Sequence, residues 1–101
     1  MNEATTALQV EAERWVPAGS LTMDSVATVL AASVEVELPA TGIVDLQRVG
    51  AVDSGGVALL LAWKRRAAVE AKPLTFVHMP ASLASLAQLY GVEDLLIAQP
   101  V

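Results

Sequence analysis

Gly42-Ile-Val-Asp-Leu-Gln-Arg-Val-Gly-Ala-Val-Asp-Ser-Gly-Gly-Val-Ala-Leu-Leu-Leu-Ala-Trp-Lys-Arg-Arg-Ala-Ala-Val-Glu-Ala71 reads as strand, short loop and helix, and its reading decides the architecture. Ile43, Val44 and Leu46 form a short apolar run of the kind a strand buried on both faces carries, punctuated by Gly42 and Gly50. Asp53 or Ser54 then serves as an N-cap, because either side chain can accept a hydrogen bond from an orphaned first-turn N–H. The helix opens there and runs to about Ala71, where Lys72-Pro73 stops it. A glycine inside a helix costs about 1 kcal/mol against alanine, so Gly55 and Gly56 in a first turn predict close approach of another backbone or group. An open helix N-terminus carrying a hydroxyl attracts anions or partner acceptors. The tip Asp53-Ser54-Gly55-Gly56 is therefore the expected functional site.

At 100° per residue, Gly56, Leu60, Trp63 and Ala67 share one stripe of this helix and form the expected sheet-facing seam. Ser54, Ala58, Leu61 and Arg65 line the opposite side, with Ala62 beside them. The apolar run Val57 to Trp63 cannot all face one sheet. Part of it is covered by a neighbouring element or left for another protein, and the second is the expectation here. The small residues around Ser54 make a flat platform, and Lys64, Arg65 and Arg66 would give it a basic rim, although a charge run on a helix is usually its solvated face.

Working outward, Met1 to Thr6 reads as a loose end and Ala7 to Glu11 as a strand. Arg14 to Met23 is a second strand with a break or bulge at Pro17 to Gly19. Thr22 or Asp24 caps a helix with Val26, Val29 and Leu30 at helical spacing, and Val34 to Leu38 is a connector. After the central helix come a strand at Leu74 to His78 and a helix at Pro80 to Tyr90, with Leu83, Leu86, Ala87 and Tyr90 on one face. Gly91 ends that helix, Tyr90 is expected to close it onto the core, and Val92 to Ala98 is a short closing element. Strands alternating with helices predict an α/β fold, a mixed β-sheet of four to five strands with helices packed against it. With 101 residues and no internal repeat, the chain is read as one domain spanning residues 1–101.

The hydrophobic share of 54% against 17% charged residues is high for one small core and predicts apolar surface reserved for a partner. A net charge of −5 argues against nucleic acid and against docking on anionic lipid, and reads first as solubility. No cysteine is present for a disulfide, a thiolate nucleophile or a thiolate metal site. The N-terminus lacks the features of a secretory signal, and no window has the roughly 18 apolar residues of a spanning helix. The expectation is a soluble cytoplasmic chain with no direct membrane insertion.

Catalytic readings do not assemble. The tip lacks the spacing and the lysine of a nucleotide-binding loop, and Asp53 would repel a free anion. His78, the single histidine, sits at a strand end and reads as a surface or capped residue, with no pairing to Ser54 visible. Glu35, Glu37 and Asp45 show no paired-acid or metal-ligand logic, and Asp45 is read as bonding local backbone. Trp15 and Trp63, separated in sequence, read as core or rim. Neither a metal nor a cofactor is expected, and the chain is read as no enzyme.

Asp-Ser-Gly-Gly at a helix start, after an apolar strand with an Asp-Leu pair, resembles the STAS domain (sulphate transporter and anti-sigma factor antagonist). Gly-Gly-Val-Ala-Leu-Leu-Leu from Gly55 and Leu-Ala-Gln-Leu-Tyr-Gly-Val-Glu-Asp-Leu-Leu ending at Leu96 resemble one branch most. That branch is the small STAS subunit of Mla-type ABC systems, which move phospholipid between the two membranes of Gram-negative bacteria. The resemblance implies a STAS-like mixed sheet and a non-catalytic subunit that binds the ABC transporter ATPase and is peripheral to the inner membrane through it. Taken with the tip and the helical stripe beside it, partner binding is expected at Asp53, Ser54, Gly55, Gly56, Ala58, Leu61, Ala62 and Arg65. The alternative the resemblance implies is an anti-sigma factor antagonist that binds an anti-sigma factor kinase and is phosphorylated on Ser54. Ser54 stands where the transport branch usually has Thr; Gly55 stands where antagonists usually have a second Ser.

Overall fold

The computed structural model describes residues 7–96, so the expected loose end at Met1 to Thr6 and the last part of the closing element lie outside the described residues. Strand β1 (Ala7–Glu11) and strand β2 (Arg14–Leu21) form an antiparallel hairpin in register Leu8↔Pro17 and Glu11↔Arg14. Its two turn residues, Ala12 and Glu13, both take positive φ (52° and 61°). That is the twist a two-residue hairpin demands, here without the usual Asn-Gly.

The rest of the sheet is parallel. Strand β3 (Ile43–Asp45) pairs with β2 through Trp15↔Val44, and strand β5 (Thr75–Val77) pairs with β3 through Val44↔Phe76. The segment expected as a short loop contains a further strand, β4 (Val49–Val52), which runs beside the second half of β2 in register Gly19↔Val49 and Leu21↔Val52. Gly50 therefore lies within a strand, contrary to its reading as a strand boundary. β2 changes partner from β3 to β4, and Pro17 falls between the two pairings, where the parallel ladder is interrupted on that side. This is why β2 continues through Pro17, with the irregularity between Gly19 and Leu21 rather than at Pro17 itself. Among the described residues the result is a five-stranded mixed sheet in the order β1-β2-β3-β5, with β4 on β2, and four helices, a single α/β domain.

Helix α1 (Val26–Val34) follows β2, with Ser25 at the cap position rather than Thr22 or Asp24. The Ser25 hydroxyl donates to Ser20 O (2.7 Å) and accepts from Thr22 N–H (3.0 Å), so it fastens the corner while Thr22 and Asp24 form the turn. Helix α2 (Ser54–Val69) follows β4. It ends two residues before Ala71, which takes φ 57° in a Schellman turn: Lys72 N–H donates to Ala67 O and Ala71 N–H to Ala68 O. Helix α3 (Ala81–Leu89) ends in the same motif built on Gly91, and a single turn, α4 (Glu93–Leu96), follows.

The predicted seam of α2, Gly56, Leu60, Trp63 and Ala67, is buried throughout. Val57 and Leu59 are buried too, because α1 packs on one flank of α2 and α3 and α4 pack on others. Much of the apolar run is thus covered from within the chain. Trp15 and Trp63, far apart in sequence, meet edge to face in the core, with ring centroids 5.2 Å apart and planes at 67°. Both indole N–H groups are satisfied, Trp15 by Glu37 O and Trp63 by the buried Ser33 hydroxyl. Tyr90 does not close onto the core: it is 50% exposed, since the Gly91 turn carries the chain away, and Leu96 is the residue buried at that end. No helix among the described residues is long and apolar enough to cross a membrane.

Candidate functional site

The tip is built around Asp53. Its backbone is extended (φ −142°, ψ −163°), one carboxylate oxygen accepts the Gly55 N–H at 2.7 Å, and the other accepts the Met23 N–H at 3.1 Å. One side chain therefore caps α2 and clamps its start to the corner between β2 and α1. Asp53, and not Ser54, is the cap.

Gly55 and Gly56 owe their place to this corner. A Cβ on Gly55 would stand 2.8 Å from Met23 N and 2.9 Å from Thr22 C, and one on Gly56 would stand 2.9 Å from Leu21 O. The close approach predicted from the sequence is real, but it is made by the chain's own backbone. Both glycines are buried, so a partner could touch them only through what covers them.

Of the remaining residues assigned to partner binding, Ser54, Ala58 and Arg65 are exposed on one side of α2, with Leu61 and Ala62 half-buried beside them. Leu61 also packs against the core cluster, which makes it less available than the helical wheel predicts. The basic rim shrinks to Arg65. Lys64 donates to Leu74 O and lies over the Phe76 ring, and burial pulls its ammonium below the usual lysine range. Arg66 reaches across to α1, donating to Ser33 O and Val36 O at 2.7 Å each, and pairs with Glu70.

Sequence reading missed the other wall of the site. An open apolar groove of about 330 Å³ runs between α1 and α2, lined by Met23, Val26, Ala27, Leu30, Ala58 and Leu59. Met23 is 68% exposed and Leu30 38% exposed. A signal for it existed: Val26 to Val34 carries no charged residue, which is unusual for a helix whose outer face meets solvent.

The sheet face opposite Trp15 and Val44 holds a second polar cluster. By strand alternation Arg14 and Asp45 point away from Trp15 and Val44. The Asp45 side chain is 1% exposed; one oxygen accepts from Gln47 N–H (3.0 Å) and lies 2.9 Å from His78 Nδ1, while the other has only the Arg14 guanidinium at 3.4 Å. Burial alone would raise the Asp45 pKa, but the hydrogen bonds from His78 and Gln47 and the charge of Arg14 hold it below the ordinary aspartate value. The expectation that Asp45 bonds local backbone is met by Gln47, and the ion pairs come in addition. His78 is exposed and bonded to Asp45, with φ 57°. Among the described residues, no three of His, Cys, Asp and Glu stand together to hold a metal ion.

No individual curated protein matches the chain. The family model described as "Mlab, STAS domain" matches residues 6–98. That span takes in the hairpin, every parallel strand, the Asp53 clamp and the closing turn. The chain belongs to the STAS domain family, in its MlaB-type branch.

Proposed function

We propose that this chain is the non-catalytic STAS subunit of an ABC-type system that moves phospholipid between two membranes, and that it binds the system's ATPase through the exposed side of α2. In this reading it works in the cytoplasm, held at the inner membrane by its partner. The observation that carries the proposal is the strip Ser54, Ala58 and Arg65. These residues are exposed, and no hydrogen bond or ion pair ties the Ser54 hydroxyl or the Arg65 guanidinium among the described residues, whereas Asp53, Gly55, Gly56, Lys64 and Arg66 of the same segment are committed to the fold. A rigid helix start presenting small residues beside an apolar groove suits a protein contact. Membership of the MlaB-type branch supports an ATPase as the partner.

Ala58→Glu tests this. An unpaired charge desolvated at a contact abolishes a typical transient interface, while on an exposed helix face it is nearly neutral for stability. The expected result is a folded domain that no longer co-purifies with the ATPase, with Arg65→Glu a milder control. A variant that folds and keeps its ATPase moves the interface elsewhere.

One observation favours a second reading. The Ser54 hydroxyl is exposed at the first residue of a sixteen-residue helix, and a phosphate there would add about −1.5 to −2 charges to the docking face. In an anti-sigma factor antagonist the partner would be a serine kinase. Incubating the chain with a kinase encoded beside it, and finding phosphate on Ser54 by mass spectrometry, would favour this reading over transport.

A further inference from the structure

We propose that this chain self-associates edge to edge: β1 of one copy pairs antiparallel with β1 of a second, about a twofold axis at Gln9, so that one sheet runs through both molecules. The proposal stands apart from the ATPase reading, which uses α2. Among the described residues β1 is an outer strand of the sheet, paired with β2 alone. Pro17 shows which way its backbone groups point. Pro17 has no N–H to give and stands opposite Leu8, so Leu8↔Pro17 is a non-hydrogen-bonded pair of the hairpin. Such pairs alternate with bonded ones along an antiparallel ladder, which makes Val10↔Trp15 another. The N–H and C=O groups of Leu8 and Val10 are therefore turned outward, away from β2, and no other described residue bonds them. Natural edge strands are blunted by a lysine, a proline, a bulge or a covering element. β1, Ala-Leu-Gln-Val-Glu in unbroken register with β2, has no lysine, proline or bulge.

The outward groups select a second copy because they match themselves. With the axis at Gln9, Leu8 faces Val10 of the second copy and Val10 faces its Leu8, and each pair exchanges both N–H···O bonds. The side chains agree with the backbone. Leu8 and Val10 lie on the same sheet face as Trp15, and Val10 is 56% exposed in the single chain; across the axis the two apolar residues stand directly opposite each other on one face. Helix α1, which packs on β1, carries no charged residue and leaves Val34 66% exposed, so the layer flanking the axis is apolar as well. Local charge does not oppose the pairing. Glu11, the one charged residue of β1, faces Ala7 of the second copy and is held at 2.6 Å by Arg48 of its own chain. The two Glu11 side chains are about 14 Å apart along the ribbon, beyond the screening length of about 8 Å.

The absence of cysteine makes the register testable. About this axis Gln9 meets its own equivalent with Cα atoms about 4.5 Å apart, within disulfide reach, whereas Ala7 and its equivalent stand about 14 Å apart. In sedimentation velocity the purified full chain should pass from monomer to dimer as its concentration rises, with a Kd on the order of 10 µM for so small an edge. Under mild oxidation Gln9→Cys, at an exposed position, should form a disulfide-linked dimer and Ala7→Cys should not. Val10→Lys alters an exposed side chain and leaves the bonds to β2 in place, so circular dichroism should be unchanged while dimerisation weakens at least about tenfold. A chain that stays monomeric at every concentration overturns the proposal, and so does a folded Val10→Lys variant that dimerises as before. Crosslinking of Ala7→Cys as readily as Gln9→Cys overturns the register. A benzophenone label on Gln9→Cys, in the chain purified with the ATPase, that captures a strand of the ATPase and no second copy overturns the choice of occupant.

Discussion

Gly55→Ala should destabilise the domain although helix propensity says the reverse. In an unconstrained first turn, alanine would gain up to about 1 kcal/mol over glycine. Here the new Cβ lies 2.8 Å from Met23 N and 2.9 Å from Thr22 C, and both are backbone atoms that no rotamer change can move. Relief requires pushing the β2–α1 corner away from α2. Overpacking of this kind costs about 1–3 kcal/mol. The shift also stretches the bond from Met23 N–H to the Asp53 carboxylate, and hydrogen bonds to charged groups contribute about 1.5–3 kcal/mol when intact. These losses outweigh the propensity gain and leave a net destabilisation of about 1–3 kcal/mol. For a domain of this size each kcal/mol lowers Tm by about 4–8 °C. Urea unfolding followed by tryptophan fluorescence gives the free energy, and thermal circular dichroism gives Tm. Gly50→Ala is the control: its Cβ would meet nothing nearer than 3.9 Å, so the change should be neutral or slightly stabilising. If Gly55→Ala proves as stable as the unmodified chain, the corner is looser than the geometry says and the glycines need another explanation.

Asp53→Ala should cost about 2–4 kcal/mol, because it removes the cap and the clamp together, whereas Ser54→Ala should change stability by a few tenths; a reversed order in chemical denaturation would return the cap to Ser54. Stability should also fall in acid through Asp45. Its folded pKa lies below the ordinary value of about 4, so its contribution is fully present above that value and is lost as pH drops through the folded pKa. Asp45→Asn should flatten this acid limb in unfolding measurements from pH 6 to pH 2, and an unchanged slope would show that the ion pairs with Arg14 and His78 do not couple to folding. Ala71→Gly should raise stability by about 1 kcal/mol, since a side chain in the left-handed region costs about 1–2 kcal/mol; a lower Tm would mean that the Ala71 side chain makes contacts that outweigh its strain.

The sequence made the central helix legible because its periodicity is strong: Gly56, Leu60, Trp63 and Ala67 could share only one face, and they are the face that is buried. Gly91 likewise announced a helix end. Ala71 makes the same turn without announcing it, and Ala12, Glu13 and His78 also hold positive φ with residues that carry no such signal. Strand β4 was hidden for a different reason. Val49-Gly50-Ala51-Val52 is short and glycine-containing, and it is a strand only because the second half of β2 needs a partner. At the site, the motif located the tip but could not say that the approach its glycines permit is intramolecular, since the approaching atoms belong to Thr22 and Met23, some thirty residues away.

The contact between Trp15 and Trp63 gives the domain a built-in optical probe. These are its only two tryptophans, and rings 5.2 Å apart at 67° couple electronically, so the native fold should carry an exciton feature in its circular dichroism that vanishes on unfolding. The probe also listens to the groove. Trp63 N–H donates to the Ser33 hydroxyl, which donates to the carbonyl of Leu30, a groove wall residue. A change at Leu30 is one hydroxyl away from the indole and should register as a small shift in emission while the exciton feature stays in place, separating a local change at the groove from unfolding in a single unlabelled sample.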